Sequence, residues 1–287
     1  MYTSASVVIL AGLDIPKTVQ YIEVPPTRSF AMSVVLVEKD GPVTIVSINR
    51  PEVRNCVDNA TSKALIEAWC DFDQDDDQRV GVFAGVDTGF CAGADLKAKA
   101  DGEIRPVTET SDGPMGPSRM KLSKPVIAAI SGHAVAGGLE LALWCDMRVA
   151  EEDAILGVYC RRWGVPLVDG GTIRLPRLIG LGHAMDLILT GRGVHAEEAL
   201  QMGLVNRVVS KGKAREESVA LAHQLCRFPQ ICMNSDRLSA IEQFGMSLDD
   251  AIIHEFRRGQ EALKKEAFDG AARFAEGKGR GGSFDDI

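Results

Sequence analysis

The sequence predicts an α/β fold, and two observations carry that expectation. β-Branched apolar runs alternate with segments of helical period through about residue 210, after which the pattern is helical throughout. Two of the runs also lead into small residues that open a helix, at Gly89–Leu96 and Ile130–Asp146. The 287 residues suffice for one large domain or two modest ones with a real core, so no disulfide or metal staple is required.

Residues 1–31 hold no sustained period, and Pro25-Pro26 interrupts any regular element; they are expected to be an N-terminal extension, with Met32 an alternative start. Val34–Val37 and Val43–Ile48 read as two strands parted by Asp40-Gly41, a strong hairpin signal. Asn59–Phe72 follows as a helix with Leu65, Ile66 and Trp69 on one face. Asp71, Asp73 and Asp75 mimic the opening of a calcium loop. The positions that need Gly and Glu are Asp76 and Val82, so a solvated acidic turn is expected. Val80–Ala84 and Lys124–Ile130 are the next strands, separated by a long polar loop. Pro125–Cys145 has only Glu140 as a charge, yet its Ser131, His133 and three glycines fit a strand and turn better than a membrane span. Three helices are expected last: Ala214–Arg227, Asn234–Phe244 and Leu248–Lys265. The third carries a capping box at Ser247-x-x-Asp250 and an apolar stripe at Ile252, Phe256 and Leu263. The glycine-rich tail at 277–282 reads as a frayed end. The domain expectation is therefore 1–31 extension, 32–210 core and 211–287 C-terminal helical region.

Composition narrows the function. Net charge is −8, from 32 Lys+Arg against 40 Asp+Glu, which argues against a nucleic-acid or anionic-membrane surface. A local basic patch could still hold an anionic small molecule. Seven scattered cysteines form no CxxC pair and the five histidines make no metal-binding spacing, so buried thiols in a reducing compartment and no metal are expected. No Lys or Arg precedes the apolar stretch Val7–Leu13, which makes a secretory signal a poor reading. Neither a P-loop nor a dinucleotide fingerprint is present.

The chemistry concentrates in the two strand-to-helix segments. Small residues at a helix start leave N–H groups unpaired and let a ligand oxygen approach them. Two such segments could aim two donors at one oxygen; close packing is the plainer reason for small residues there. Glu140 sits in the first turn of an otherwise apolar helix, where it is either a helix-dipole partner or a buried acid/base.

At these residues the sequence resembles the enoyl-CoA hydratase/isomerase (crotonase) family, from Met32 to the end. The anchors are Ile48-Asn-Arg-Pro51-x-x-Arg54-Asn55, Phe90-Cys-Ala-Gly-Ala-Asp95 and Gly132-x-Ala-x-x-Gly137-Gly-x-Glu140-Leu-Ala. Thr190-Gly-Arg and Glu198-Ala-x-x-x-Gly203-Leu-Val205 follow at family spacing. The resemblance implies a crotonase-like spiral of repeated ββα units, with C-terminal helices that assemble trimers or dimers of trimers. It also implies an acyl-CoA thioester whose carbonyl lies in a two-amide oxyanion hole, formed by Ala92 and Gly137. Ala92, Gly93, Ala94 and Asp95 would line the thioester and pantetheine arm, and Val53, Arg54, Asn55 and Cys56 would flank the nucleotide end. Coenzyme A would be part of the substrate, with no separate cofactor. The implied compartment is the cytoplasm, or the mitochondrial matrix in a eukaryote.

Glu140 matches one of the two glutamates that hydratases of this family use to activate water. The second falls on Cys160, whose thiol is mostly protonated near neutral pH. Asp169 offers a replacement, since some relatives with other chemistries place a catalytic Asp near it; capping a helix from Gly170 is its alternative role. Arg161-Arg162-Trp163 would fill or charge the acyl pocket, or else be a surface pair and a core Trp. The leading expectation is an enoyl-CoA hydratase acting through a thioester enolate. The alternatives are enoyl- or dienoyl-CoA isomerisation with Glu140 and Asp169, and a catalytically decayed CoA-binding scaffold.

Overall fold

A computed structural model describes residues 33–87, 89–102 and 107–284. The extension expected at 1–31 lies outside them. Strands β1 (Val35–Asp40) and β2 (Val43–Ile48) form the expected hairpin, closed at Gly41 with φ +56°. Helix α1 (Asn59–Gln74) is capped by Asp58, whose side chain accepts from the Thr61 amide, and leads to β3 (Val80–Gly85). A short helix α2 (Leu96–Ala100) interrupts the long loop before β4 (Val126–Ile130).

From β4 the chain repeats one unit. After β4 come β5 (His133–Val135) and α3 (Gly137–Trp144). Then β6 (Met147–Glu151) and β7 (Ile155–Gly157) lead through a 3-10 turn to α4 (Gly171–Thr190). In each unit the first strand joins a six-stranded sheet and the second a small three-stranded one. This is the ββα spiral that the resemblance implies. β8 (Gly193–His195), α5 (Ala196–Gln201) and β9 (Arg207–Val209) complete the sheets. The large sheet runs β1-β2-β3-β4-β6-β9 and is parallel except for the hairpin; the small sheet runs β5-β7-β8. The apolar region 125–145, rejected as a membrane span, is thus two strands and one helix. Among the described residues no helix is long and apolar enough to cross a membrane.

Alternation along the strands divides the core in two. Val46, Ile48, Phe83, Ala128 and Ile130 face α1, α3 and α4 on one side of the large sheet. Val43, Ile45, Val82, Ile127 and Val149 face α6 (Ala214–Cys226) on the other, where Leu221 and Ala222 are buried. Helix α6, expected within a separate C-terminal region, is therefore a core helix of the sheet.

Helices α7 (Gln230–Glu242), α8 (Leu248–Lys265) and α9 (Ala267–Ala275) follow. Ser247 caps α8 as its sequence implied, its hydroxyl accepting from the Asp250 amide at 3.2 Å. Helix α7 starts four residues before the expected Asn234. Glu266 supplies the reason: its carboxylate accepts from the Ile231 and Cys232 amides at 3.1 and 2.8 Å, a cap from a distant part of the chain.

Candidate active site

The first small-residue segment is zipped along β5. The amide of Cys91 donates to the His133 carbonyl and that of Val135 to the Cys91 carbonyl. The segment then turns away at Gly93, whose φ is +101°. Any side chain there would meet the Ala136 Cβ at 3.0 Å and the Gly137 nitrogen at 3.1 Å. Glycine is therefore what brings this loop against the start of α3. Gly138 does the same from the other side, since a Cβ on it would lie 2.0 Å from the Cys91 carbonyl oxygen.

The backbone partners correct one expectation. The Ala92 amide donates to the Arg54 carbonyl at 3.1 Å, so it is already spent on holding the loop. Two residues on, Ala94 is bridged to Val57 only through its neighbours: Val57 donates to the Gly93 carbonyl and Asp95 donates to Val57. Among the described residues neither the Ala94 nor the Gly137 amide has a protein acceptor, and both residues line one cavity of about 320 Å³. The pair of available donors is Ala94 with Gly137, not Ala92 with Gly137.

Glu140 is 3% exposed and faces the same cavity. Its Oε1 accepts from the amides of Asp169, at 2.9 Å, and Gly171, at 2.8 Å. Gly171 is the first residue of α4, so the carboxylate serves the N-terminus of α4 rather than that of its own helix. Oε2 takes no hydrogen bond from the described residues. Burial is the largest influence on its acidity and raises its pKa from 4.5 to about 7. The Gly171 hydrogen bond opposes that rise, and the neighbouring Asp169 charge adds to it.

Asp169, also buried, does not cap α4; the cap residue is Gly170, with φ 95° and no side-chain bond. Instead Oδ1 accepts from the Met115 amide at 2.9 Å and from the Ser118 hydroxyl. The residue lines the cavity beside Glu140. Burial raises its pKa, against the lowering by the Ser118 hydroxyl and the Met115 amide.

Of the other expected site residues, Arg54, Ala92 and Cys160 line the cavity. The buried Cys160 thiol has its pKa raised by desolvation first and by Glu140 second, which keeps it a neutral thiol. Cys56, Gly93 and Asp95 do not line it. Cys56 uses its carbonyl to accept from Arg50 at 2.7 Å. Asp95 pairs with Arg50 at 3.0 Å and caps α2 through the Lys97 and Ala98 amides, so it shapes the loop. Trp163 is 67% exposed at the cavity edge and is not a core residue; Arg162, also at the edge, stacks 4.1 Å over the Tyr159 ring.

Sequence reasoning did not single out Lys99, Met115, Ser118 or Arg174. Lys99 lines the cavity from α2, while Arg174 donates to the carbonyls of Asp169 at 2.9 Å and Ser118 at 2.7 Å. No local pattern marks Ser118, which sits in a loop and matters only through Asp169.

The sequence profile of the enoyl-CoA hydratase/isomerase family matches residues 38–278. The chain is 35% identical over 249 residues to enoyl-CoA hydratase EchA19 of Mycobacterium tuberculosis, covering 84% of this chain and 93% of that one. It is 39% identical over 189 residues to the carnitinyl-CoA dehydratase of Salmonella enteritidis, covering 65% and 72%. The crystal structure of enoyl-CoA hydratase EchA1 from Mycobacterium marinum superposes with a TM-score of 0.81 at 36% identity. That match covers 85% of this chain and 96% of the other.

Proposed function

Since the chain belongs to the enoyl-CoA hydratase/isomerase family, we propose that it hydrates a 2-enoyl-CoA thioester in the cavity at the N-terminal end of α3. The supporting observation is the arrangement of two unspent amides and two half-anchored carboxylates around one space. The thioester oxygen accepts from the Ala94 and Gly137 amides, which hold the negative charge that develops there as the enolate forms. A donor of this kind is worth about 3 kcal/mol of barrier.

Glu140 and Asp169 each have one oxygen fixed by protein donors, leaving Oε2 and Oδ2 for substrate and water. One carboxylate accepts a proton from water as its oxygen bonds to C3; the other, protonated, delivers a proton to C2. The product is a 3-hydroxyacyl thioester. Burial raises the pKa of both carboxyl groups, Glu140 to about 7, which favours a protonated acid beside an ionised one near neutral pH. Arg54 and Lys99 suit the anionic nucleotide end of coenzyme A, which enters as part of the substrate.

Isomerisation is the second reading, favoured by the neutral thiol of Cys160 where hydratases of the family carry a second glutamate. The same carboxyl pair would then take a proton from one carbon of the acyl chain and return it to another, with no water added. A catalytically silent scaffold fits poorly with a glutamate raised to about 7 at the cavity wall.

Turnover across 2-enoyl-, 3-enoyl- and dienoyl-CoA thioesters tests the reading. Hydration of a 2-enoyl-CoA is expected, and Glu140→Gln should cut kcat by about 10²–10⁴ with CoA affinity kept. Migration of the double bond without formation of the alcohol would establish the isomerase instead. No turnover on any thioester would refute both.

A further inference from the structure

We propose that Ser118 is a positioning residue that orients the Asp169 carboxylate through its hydroxyl and is itself held by Arg174. The inference rests on the reading that Asp169 acts on the substrate. Ser118 lies in the 3-10 turn Pro117–Arg119, is 1% exposed, and donates to Oδ1 of Asp169. The Met115 amide donates to the same oxygen at 2.9 Å. Two donors on one oxygen fix the rotation of the carboxylate and leave Oδ2 as the atom that can exchange a proton.

Arg174 ties the arrangement together. Its guanidinium donates to the Ser118 carbonyl at 2.7 Å and to the Asp169 carbonyl at 2.9 Å. The turn bearing the hydroxyl and the residue bearing the carboxylate are thereby held by one rigid fork. The Asp169 amide in turn holds Glu140, so a displaced Asp169 would disturb both acids. The charged and titratable groups that face Asp169 are Glu140 from α3, Arg174 from α4, Arg119 from the 3-10 turn and Lys99 from α2; Cys160 lines the same cavity. Among the described residues only Ser118 donates a side-chain hydrogen bond to its carboxylate.

The test is a double-mutant cycle with Ser118→Ala, Asp169→Asn and the combination, read in kcat, KM and the pH profile of kcat. Ser118→Ala should lower kcat by about 5–50-fold with KM within about twofold of wild type. The limb of the profile that reports Asp169 should move to higher pH, because its ionised form loses a donor. In the Asp169→Asn background, Ser118→Ala should change kcat by less than about twofold. Should the alanine variant fail to fold, Ser118→Cys keeps the size with a weaker donor and should move the same limb in the same direction. Equal fold-losses in both backgrounds, or a lowered melting temperature with kcat and the pH profile unchanged, would overturn the proposal. Wild-type kcat in Asp169→Asn alone would instead remove the carboxyl-pair reading, and this inference with it.

Discussion

The backbone amide of Asp169 donates to Oε1 of Glu140 across 2.9 Å, so the residue bearing the second carboxylate also aims the first. The contact joins the start of α4 to the first turn of α3 and draws two acids to one cavity wall. Burial disfavours the ionised form of both and raises both pKa values, and for Glu140 the neighbouring Asp169 charge adds to the rise.

Stability should report the Glu140 shift. With its pKa moved from 4.5 to about 7, the folded chain binds more proton here than the unfolded chain between those values. Stability at this site therefore falls as pH rises through that window, by a total on the order of 3 kcal/mol. Glu140→Gln cannot titrate and should escape the loss. Denaturant titrations at pH 5 and pH 8, at one protein concentration, should show the variant gaining about 2–3 kcal/mol on wild type across the interval. A constant difference between the two proteins would show that Glu140 ionises normally.

Cys160→Glu restores a carboxylate where hydratases of the family carry one. If the natural chemistry uses Asp169 in its place, the variant should leave CoA binding intact and raise hydration of a 2-enoyl-CoA only when Asp169 is also changed to Asn. Rescue of the Asp169→Asn defect by at least about tenfold in kcat is the expected outcome. Absence of any rescue in a folded double variant would place the water-activating position elsewhere.

Gly93→Ala probes the amide pair without touching a carboxylate. The left-handed φ of +101° strains any other residue by about 1–3 kcal/mol, and the new methyl would press on the Gly137 nitrogen at 3.1 Å. A lower melting temperature together with a kcat loss of about tenfold or more is expected. Full activity despite the lower melting temperature would show that the Gly137 amide is not used.

Assembly is expected through α8 and α9. Leu248, Ile252, Phe256, Phe268 and Phe274 are all more than half exposed on the single chain, a larger apolar surface than a monomer normally presents to water. Sedimentation at micromolar concentration should give a trimer or a dimer of trimers, and Phe256→Asp should shift it toward smaller species. A wild-type chain that sediments as a monomer would contradict this.

Elements dictated by local chemistry are legible along the chain. The hairpin at Asp40-Gly41, the parallel-sheet strands and the Ser247 cap follow from alternation, turn residues and a capping pattern, all read within a few residues of the chain. Glu140 stood out for the same reason, as a lone carboxylate on an apolar helix. The tertiary structure alone decided which amides are free. Ala92 and Ala94 are equally small and lie in the same loop between β3 and α2, but of the two only Ala92 donates to a carbonyl among the described residues, that of Arg54 in another segment. It alone also separated the two roles open to Asp169, because capping and cavity-facing conformations share one sequence and differ in whether Ser118 and Met115 are there to hold the carboxylate. Whether a hydrogen-bonding group is satisfied depends on partners brought together by the spiral of the chain, and no local pattern carries their positions.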